Sequence, residues 1–103
     1  MKIISLVQHA IHIGGKTIKP SGKVARVDTH SVFLDRKMGI DFYRTDFGKV
    51  TDLPDKGDDI FYIVSGMVAS ALPDRDDLLI PHDLIRDDQG RVIGCKGLRV
   101  SGL

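Results

Sequence analysis

The sequence predicts a β-rich α+β domain: a strongly bent antiparallel sheet or partial barrel with one short helix at about residues 65–72. Three observations carry this. Val and Ile together number 20 against 4 Ala, which favours strands over helices. All 14 acidic residues are Asp, with no Glu and no Asn, and 11 Gly join them as turn formers. Leu, Ile, Val and Phe make up 33 of 103 residues, enough for a packed core and far more than a disordered chain carries. A chain of this length suits one small domain, residues 1–103.

The elements follow in order. Ile11-His12-Ile13 and Lys16-Thr17-Ile18 flank Gly14-Gly15, a pair that accepts the positive φ of a two-residue hairpin turn. Pro20-Ser21-Gly22 turns the chain into a third strand, Val24 to Val27. Residues 31–39 lack a clear period and read as a loop or irregular edge. Ile40 to Thr45 and Lys49 to Leu53 read as short strands around Asp46-Phe47-Gly48. Pro54 to Asp59 is a surface turn. Ile60 to Val64 has the character of a central strand covered on both faces. Ser65 suits a helix N-cap; Met67, Val68, Ala71 and Leu72 recur at helical spacing, and Pro73 ends the helix. Leu78-Leu79-Ile80 forms a short extended piece before Pro81. Leu84 to Arg86 and Arg91 to Ile93 flank a turn in which Gly90 takes the left-handed position, and Val92 to Val100 completes the sheet.

Composition excludes several classes. A lone Cys95 leaves no intrachain disulfide and no cysteine-rich zinc module. Ile3 to Val7 is too short for the apolar core of a signal peptide, and Ile60 to Leu72 falls short of the roughly 20 residues of a membrane span. A cytoplasmic protein without membrane contact is expected. Net charge is +1, but residues 1–50 hold 9 Lys/Arg and 4 Asp, whereas residues 51–103 hold 6 Lys/Arg and 10 Asp. That asymmetry predicts a bipolar surface able to steer an anion to one side. It is not the basic patch of a nucleic-acid binder, and no nucleic-acid partner is expected.

Three segments together are similar to one family. They are Leu6-Val7-Gln8-His9; Pro20-Ser21-Gly22 running into Val24-Ala25-Arg26-Val27; and Tyr62-Ile63-Val64-Ser65 with Val68-Ala69, Pro73, Arg75-Asp76-Asp77-Leu78, Pro81, Asp88 and Gly90 to Cys95. With them the chain resembles a group of small uncharacterised proteins of tailed phages and bacteria, actinobacteria especially. The group has Leu-Thr-Pro-His at the first segment, so Val7-Gln8 here replaces its proline bend. The resemblance implies a phage or prophage context rather than a mechanism.

Several residues are candidates for chemistry, each with a plainer alternative. Ser65-Gly66 at a helix start offers backbone amides to a phosphate or carboxylate, or is simply a cap after a core strand. The Ser65 surroundings lack the Gly-x-Ser-x-Gly elbow of a nucleophilic serine. Asp74, Asp76 and Asp77 could hold a hard cation, without calcium-loop spacing; alternatively Arg75 pairs with Asp76 or Asp77 to clamp the loop, or reaches a phosphate. His9 and His12 fall on opposite faces of an extended strand, unsuited to sharing a metal, though His9 alone could touch a ligand. Lys23 follows Pro20-Ser21-Gly22 without Walker spacing and, with Arg26, adds to the positive half. Cys95 reads as a buried, inert thiol.

No nucleophile comes with a placed base, so neither an enzyme nor a cofactor nor a metal centre is expected. The preferred expectation is a small phage-type accessory protein that sequesters a small anionic or nucleotide-like ligand, such as a host immune signal, as counter-defence. Ser65, Gly66, Arg75, Arg26, His9, Asp76 and Asp77 are its candidate contacts. A protein–protein module, inhibiting a host factor or serving virion assembly, is the alternative, marked by an exposed apolar patch or free strand edge. Metal-assisted hydrolysis through Asp74, Asp76 and Asp77 comes third. Unpaired strand edges also predict a homo-oligomer.

Overall fold

A computed structural model describes residues 1–101. Strands β1 (Lys2–Ser5), β6 (Ile60–Ile63), β7 (Leu78–Arg86), β8 (Val92–Val100), β2 (Ile11–Ile13) and β3 (Lys16–Ile18) form one sheet in that spatial order. β4 (Arg26–Lys37) and β5 (Ile40–Thr51) form a separate two-stranded ribbon, and α1 (Gly66–Ala71) lies between β6 and β7 in the chain. The sheet bends into a nearly closed barrel. Its seam is bridged where the chain after β3 returns to β1: the Ser21 amide donates to Ser5 O (3.0 Å) and the Ala25 amide to Leu6 O (3.0 Å).

The β-rich class, the bent sheet and the single short helix agree with the sequence. Strand direction is more varied than a wholly antiparallel sheet. β1–β6, β6–β7 and β2–β8 run parallel, whereas β7–β8 and β2–β3 run antiparallel. α1 carries the chain from the end of β6 back to the start of β7, which makes that pair parallel. This is also why Ile60 to Val64 is uninterrupted by polar residues: β6 is covered on both faces. Tyr62 and Val64 pack with Leu6, Ala25, Val68, Ala69 and Leu78, while Ile63 packs on the other side with Ile11, Leu79 and Cys95. Burying a side chain such as Ile63 or Leu78 contributes about 1.5–3 kcal/mol.

The Gly14-Gly15 hairpin forms as expected, both glycines having positive φ (51° and 85°). Three other boundaries differ. β7 does not stop at Pro81 but continues to Arg86, with Pro81 opposite Leu98. β6 pairs only with the start of β7, at Leu78 and Leu79, so beyond that point this side of β7 is an edge and the missing proline N–H costs nothing. Residues 31–39, read as a loop or irregular edge, belong to β4 and its turn. The two short strands read on either side of Asp46-Phe47-Gly48 are one continuous β5. Both long strands are solvated on two faces over most of their length and so lack the apolar alternation that betrays a half-buried strand.

Candidate functional site

Two features distinguish the surface: a cleft on the barrel and the ribbon that projects from it.

The cleft has a volume of about 710 Å³ and lies between β2 and the outer part of the β7–β8 hairpin. Ile11, Leu84, Val92 and Ile93 supply its apolar wall, with His9 and His12 at the same cleft. The two histidines were expected on opposite faces of one strand. His9 instead precedes β2 in a bend, and both histidines border the same hollow. His12 Nδ1 lies 3.0 Å from Thr17 Oγ1 across the β2–β3 hairpin. Among the described residues no group of three or more His, Cys or Asp side chains gathers as a metal site.

The other candidates sit elsewhere. Ser65 is the N-cap of α1, its Oγ accepting from the Val68 amide at 3.3 Å. The neighbouring Gly66 lies at a second, smaller hollow of about 360 Å³ that also touches Ser70, Ile80 and Arg99. Arg75 is committed within the fold. Its Nε and Nη2 each donate to the Asp77 carboxylate at 2.7 Å, and Nη2 also donates to Pro54 O at 3.2 Å. Asp77 is only 3% exposed, so this fork neutralises a buried charge and ties the loop before β7 to the turn before β6. Hydrogen bonding to Arg75 holds the Asp77 carboxyl below its ordinary range, against the opposing effect of burial. Asp76 pairs instead with Lys56, which lowers its carboxyl too. Two of the three clustered carboxylates thus already have cationic partners: the Arg75–Asp77 pair is the clamp read from the sequence, and the Lys56–Asp76 pair was not foreseen. Arg26 opens β4 opposite Thr51. The expected anion contacts are therefore dispersed between the cleft (His9), the α1 start (Ser65, Gly66), the 54–77 clamp (Arg75, Asp76, Asp77) and the root of the ribbon (Arg26).

The ribbon was missed as a unit. β4 and β5 are joined by Met38-Gly39, both at positive φ (55° and 73°), the two-residue turn that matches strand twist. Only its root packs on the barrel, where Val27 and Val50 meet the core. Beyond it Phe33 (55% exposed), Tyr43 (58%), Phe42 (45%), Phe47, Leu34, Ile40 and Met38 (98%) stand in solvent. Phe33 and Tyr43 are directly opposed and stack edge-to-face at 5.7 Å. Among the described residues neither strand is hydrogen-bonded to the main sheet, so both outer edges of the ribbon are unpaired there. The sequence signal for it was Gly39 between two runs of aromatic and β-branched residues.

The positive surplus of the first half belongs mainly to the barrel. Residues 1–25 hold Lys2, Lys16, Lys19 and Lys23 and no Asp, whereas the ribbon mixes Arg26, Arg36, Lys37, Arg44 and Lys49 with Asp28, Asp35, Asp41 and Asp46. One further site was not foreseen. Ser5 is buried at 2% exposure, and its hydroxyl lacks a hydrogen-bond partner among the described residues.

No helix among the described residues is long and apolar enough to cross a membrane. Compared with protein-family models, curated proteins and solved structures, the chain matches none.

Proposed function

We propose that this chain is a non-catalytic binding protein whose β4–β5 ribbon docks on a protein surface. The observation that carries the reading is the ribbon itself: aromatic side chains held in solvent on a two-stranded arm with free edges. A monomer rarely exposes a contiguous apolar patch beyond a few hundred Å², and such patches serve interactions. An accessory or assembly role in a phage or prophage setting, which the sequence resemblance implies, is compatible with an arm of this kind. The test is photo-crosslinking in cells with a reactive residue at Phe33, and with one at Lys16 as the barrel control. Discrete protein adducts from position 33, absent from position 16 and abolished by Tyr43→Asp in a protein of unchanged melting temperature, are expected. Equal adducts from both positions would refute the reading.

A second reading is favoured by the cleft. Its volume lies in the range of small-molecule sites, and two imidazoles at an apolar hollow suit a flat, nucleotide-like ligand. Sequestration there uses His9 and His12, with the apolar wall taking the ring. Arg75 is not recruited, because Asp77 holds it. Native mass spectrometry against a nucleotide panel tests this: an adduct lost in His9→Ala supports it, and no adduct from any member removes it.

A further inference from the structure

We infer that the ribbon's partner is a second copy of this chain, paired antiparallel along the outer edge of β5 with Tyr43 on the two-fold axis; this rests on the reading of the ribbon as a docking arm.

The two edges are not equivalent. β4 carries an extra residue at Leu34, where Phe33 pairs with Tyr43 but Asp35 pairs with Phe42, and this bulge interrupts its exposed half. A bulge blunts an edge against pairing. β5 has its own irregularity only at the root, between the Phe47 and Val50 pairs, so Ile40 to Phe47 is an unbroken strand. Lys37 and Ile40 flank the two-residue turn and exchange hydrogen bonds across it. By alternation Phe42, Arg44 and Asp46 direct their backbone groups toward β4, while Asp41, Tyr43 and Thr45 direct theirs outward.

Symmetry then limits the register. A two-fold axis perpendicular to the ribbon keeps each face on its own side, so opposed residues must share a face. The axis can pass only through a residue of β5, not between two. An axis at Asp41 or at Arg44 sets like charges against each other, which is unfavourable. An axis at Phe42 pairs only Ile40–Arg44, and one at Thr45 only Tyr43–Phe47 of the unbroken strand. An axis at Tyr43 pairs the longer stretch Ile40–Asp46 and opposes no like charges. It sets Phe42 against Arg44 of the second copy, a cation–π pair, and Asp41 against Thr45, a hydrogen-bonding pair. It also places the outward-directed backbone of Tyr43 at the axis, where the two copies exchange both bonds. The Met38 tip of each arm then lies beside Gly48, at the root of the other arm.

Side-chain pattern and charge agree with this occupant. The exposed apolar side chains divide between the two faces, Phe33, Tyr43 and Phe47 on one and Ile40 and Phe42 on the other, so a second copy on the β5 edge continues both apolar strips. The ribbon's five Lys/Arg and four Asp nearly cancel and are interspersed along it, which suits contact with its own kind over nucleic acid or an acidic surface.

The test is sedimentation of the intact protein together with cysteine crosslinking. Native Cys95 is buried at 1% exposure and stays silent. The wild type is expected to sediment as a dimer, and Phe42→Asp as a monomer that still unfolds cooperatively, its melting temperature lowered only by the lost association. Tyr43→Cys forms a covalent dimer under mild oxidation, whereas Thr45→Cys alone does not. Mixing Asp41→Cys with Thr45→Cys gives the mixed disulfide, which keeps the register testable if loss of the Tyr43 ring weakens the pair. A wild type that is monomeric throughout, or Thr45→Cys linking as readily as Tyr43→Cys, overturns the inference. In the first case, adducts to other proteins from position 33 leave the docking-arm reading standing. Their absence removes both.

Discussion

Replacing Arg75 by alanine tests the clamp that organises one end of the barrel, and its cost follows from the geometry. Asp77 is almost wholly buried and receives two 2.7 Å bonds from Arg75, while Arg75 also holds Pro54 O. Removing the partner of a buried charge costs about 3–5 kcal/mol. Arg75 itself is 23% exposed, so water can enter the vacated space, and the lower end, about 3 kcal/mol, is expected. For a domain of this size each kcal/mol moves the melting temperature by roughly 4–8 °C, so a drop of about 12–24 °C should follow. The pH dependence has a definite sign. In the wild type the Asp77 carboxyl is depressed below its ordinary value, so its contribution is present above the unfolded value near ~3.9 and is lost as pH falls through the folded value. Arg75→Ala removes the main cause of that depression, leaving burial, opposed only by the backbone amide of Asp77 and by Lys56, to shift Asp77 toward its protonated form. The variant's deficit should therefore be largest at neutral pH and shrink on acidification below about pH 4. Urea unfolding at pH 7 and at pH 3 reads both quantities. A variant within 0.5 kcal/mol of wild type at neutral pH, about the scatter of a neutral surface change, would refute the clamp argument.

Two further perturbations separate strain from polarity. Ser5→Ala removes a buried hydroxyl without a partner, and a stability gain of about 1 kcal/mol is expected in denaturant melts; a loss would mean that the hydroxyl is satisfied. Gly94→Ala places a Cβ 2.8 Å from the His12 carbonyl oxygen, where β8 passes β2. It should cost about 1–3 kcal/mol and accelerate amide exchange in β2, whereas an unchanged exchange pattern would show that the two strands separate freely.

What could be read from the sequence divides along burial. Ile60 to Val64, the Ser65 cap and the Gly14-Gly15 and Gly90 turns were legible because core burial, free helix amides and positive φ each leave a local mark. The parallel pairings were not, since β1–β6 and β2–β8 join residues far apart in the chain. The ribbon escaped for another reason. Its side chains meet water on both faces along most of its length, so neither period nor continuous hydrophobicity marks it as two strands. The candidate contacts show the same division. Arg75 pairing with Asp77 was among the readings of local spacing, but the meeting of His9 and His12 at one cleft involves a bend that residue types do not announce.

The distant pairings bear on the order in which the chain acquires structure. β4 and β5 are neighbours in sequence and can close as soon as both have left the ribosome, on the microsecond timescale of a hairpin. β1 must wait for β6, Lys2 finding Ile60, and β2 must wait for β8, Ile13 finding Cys95. Such long loops are slow to close, because chain entropy is lost before any contact offsets it. For that interval the arm can form while the barrel cannot. If the arms pair as proposed, neighbouring nascent chains on one message meet through them while their barrels are still open, making association a step of synthesis rather than its sequel.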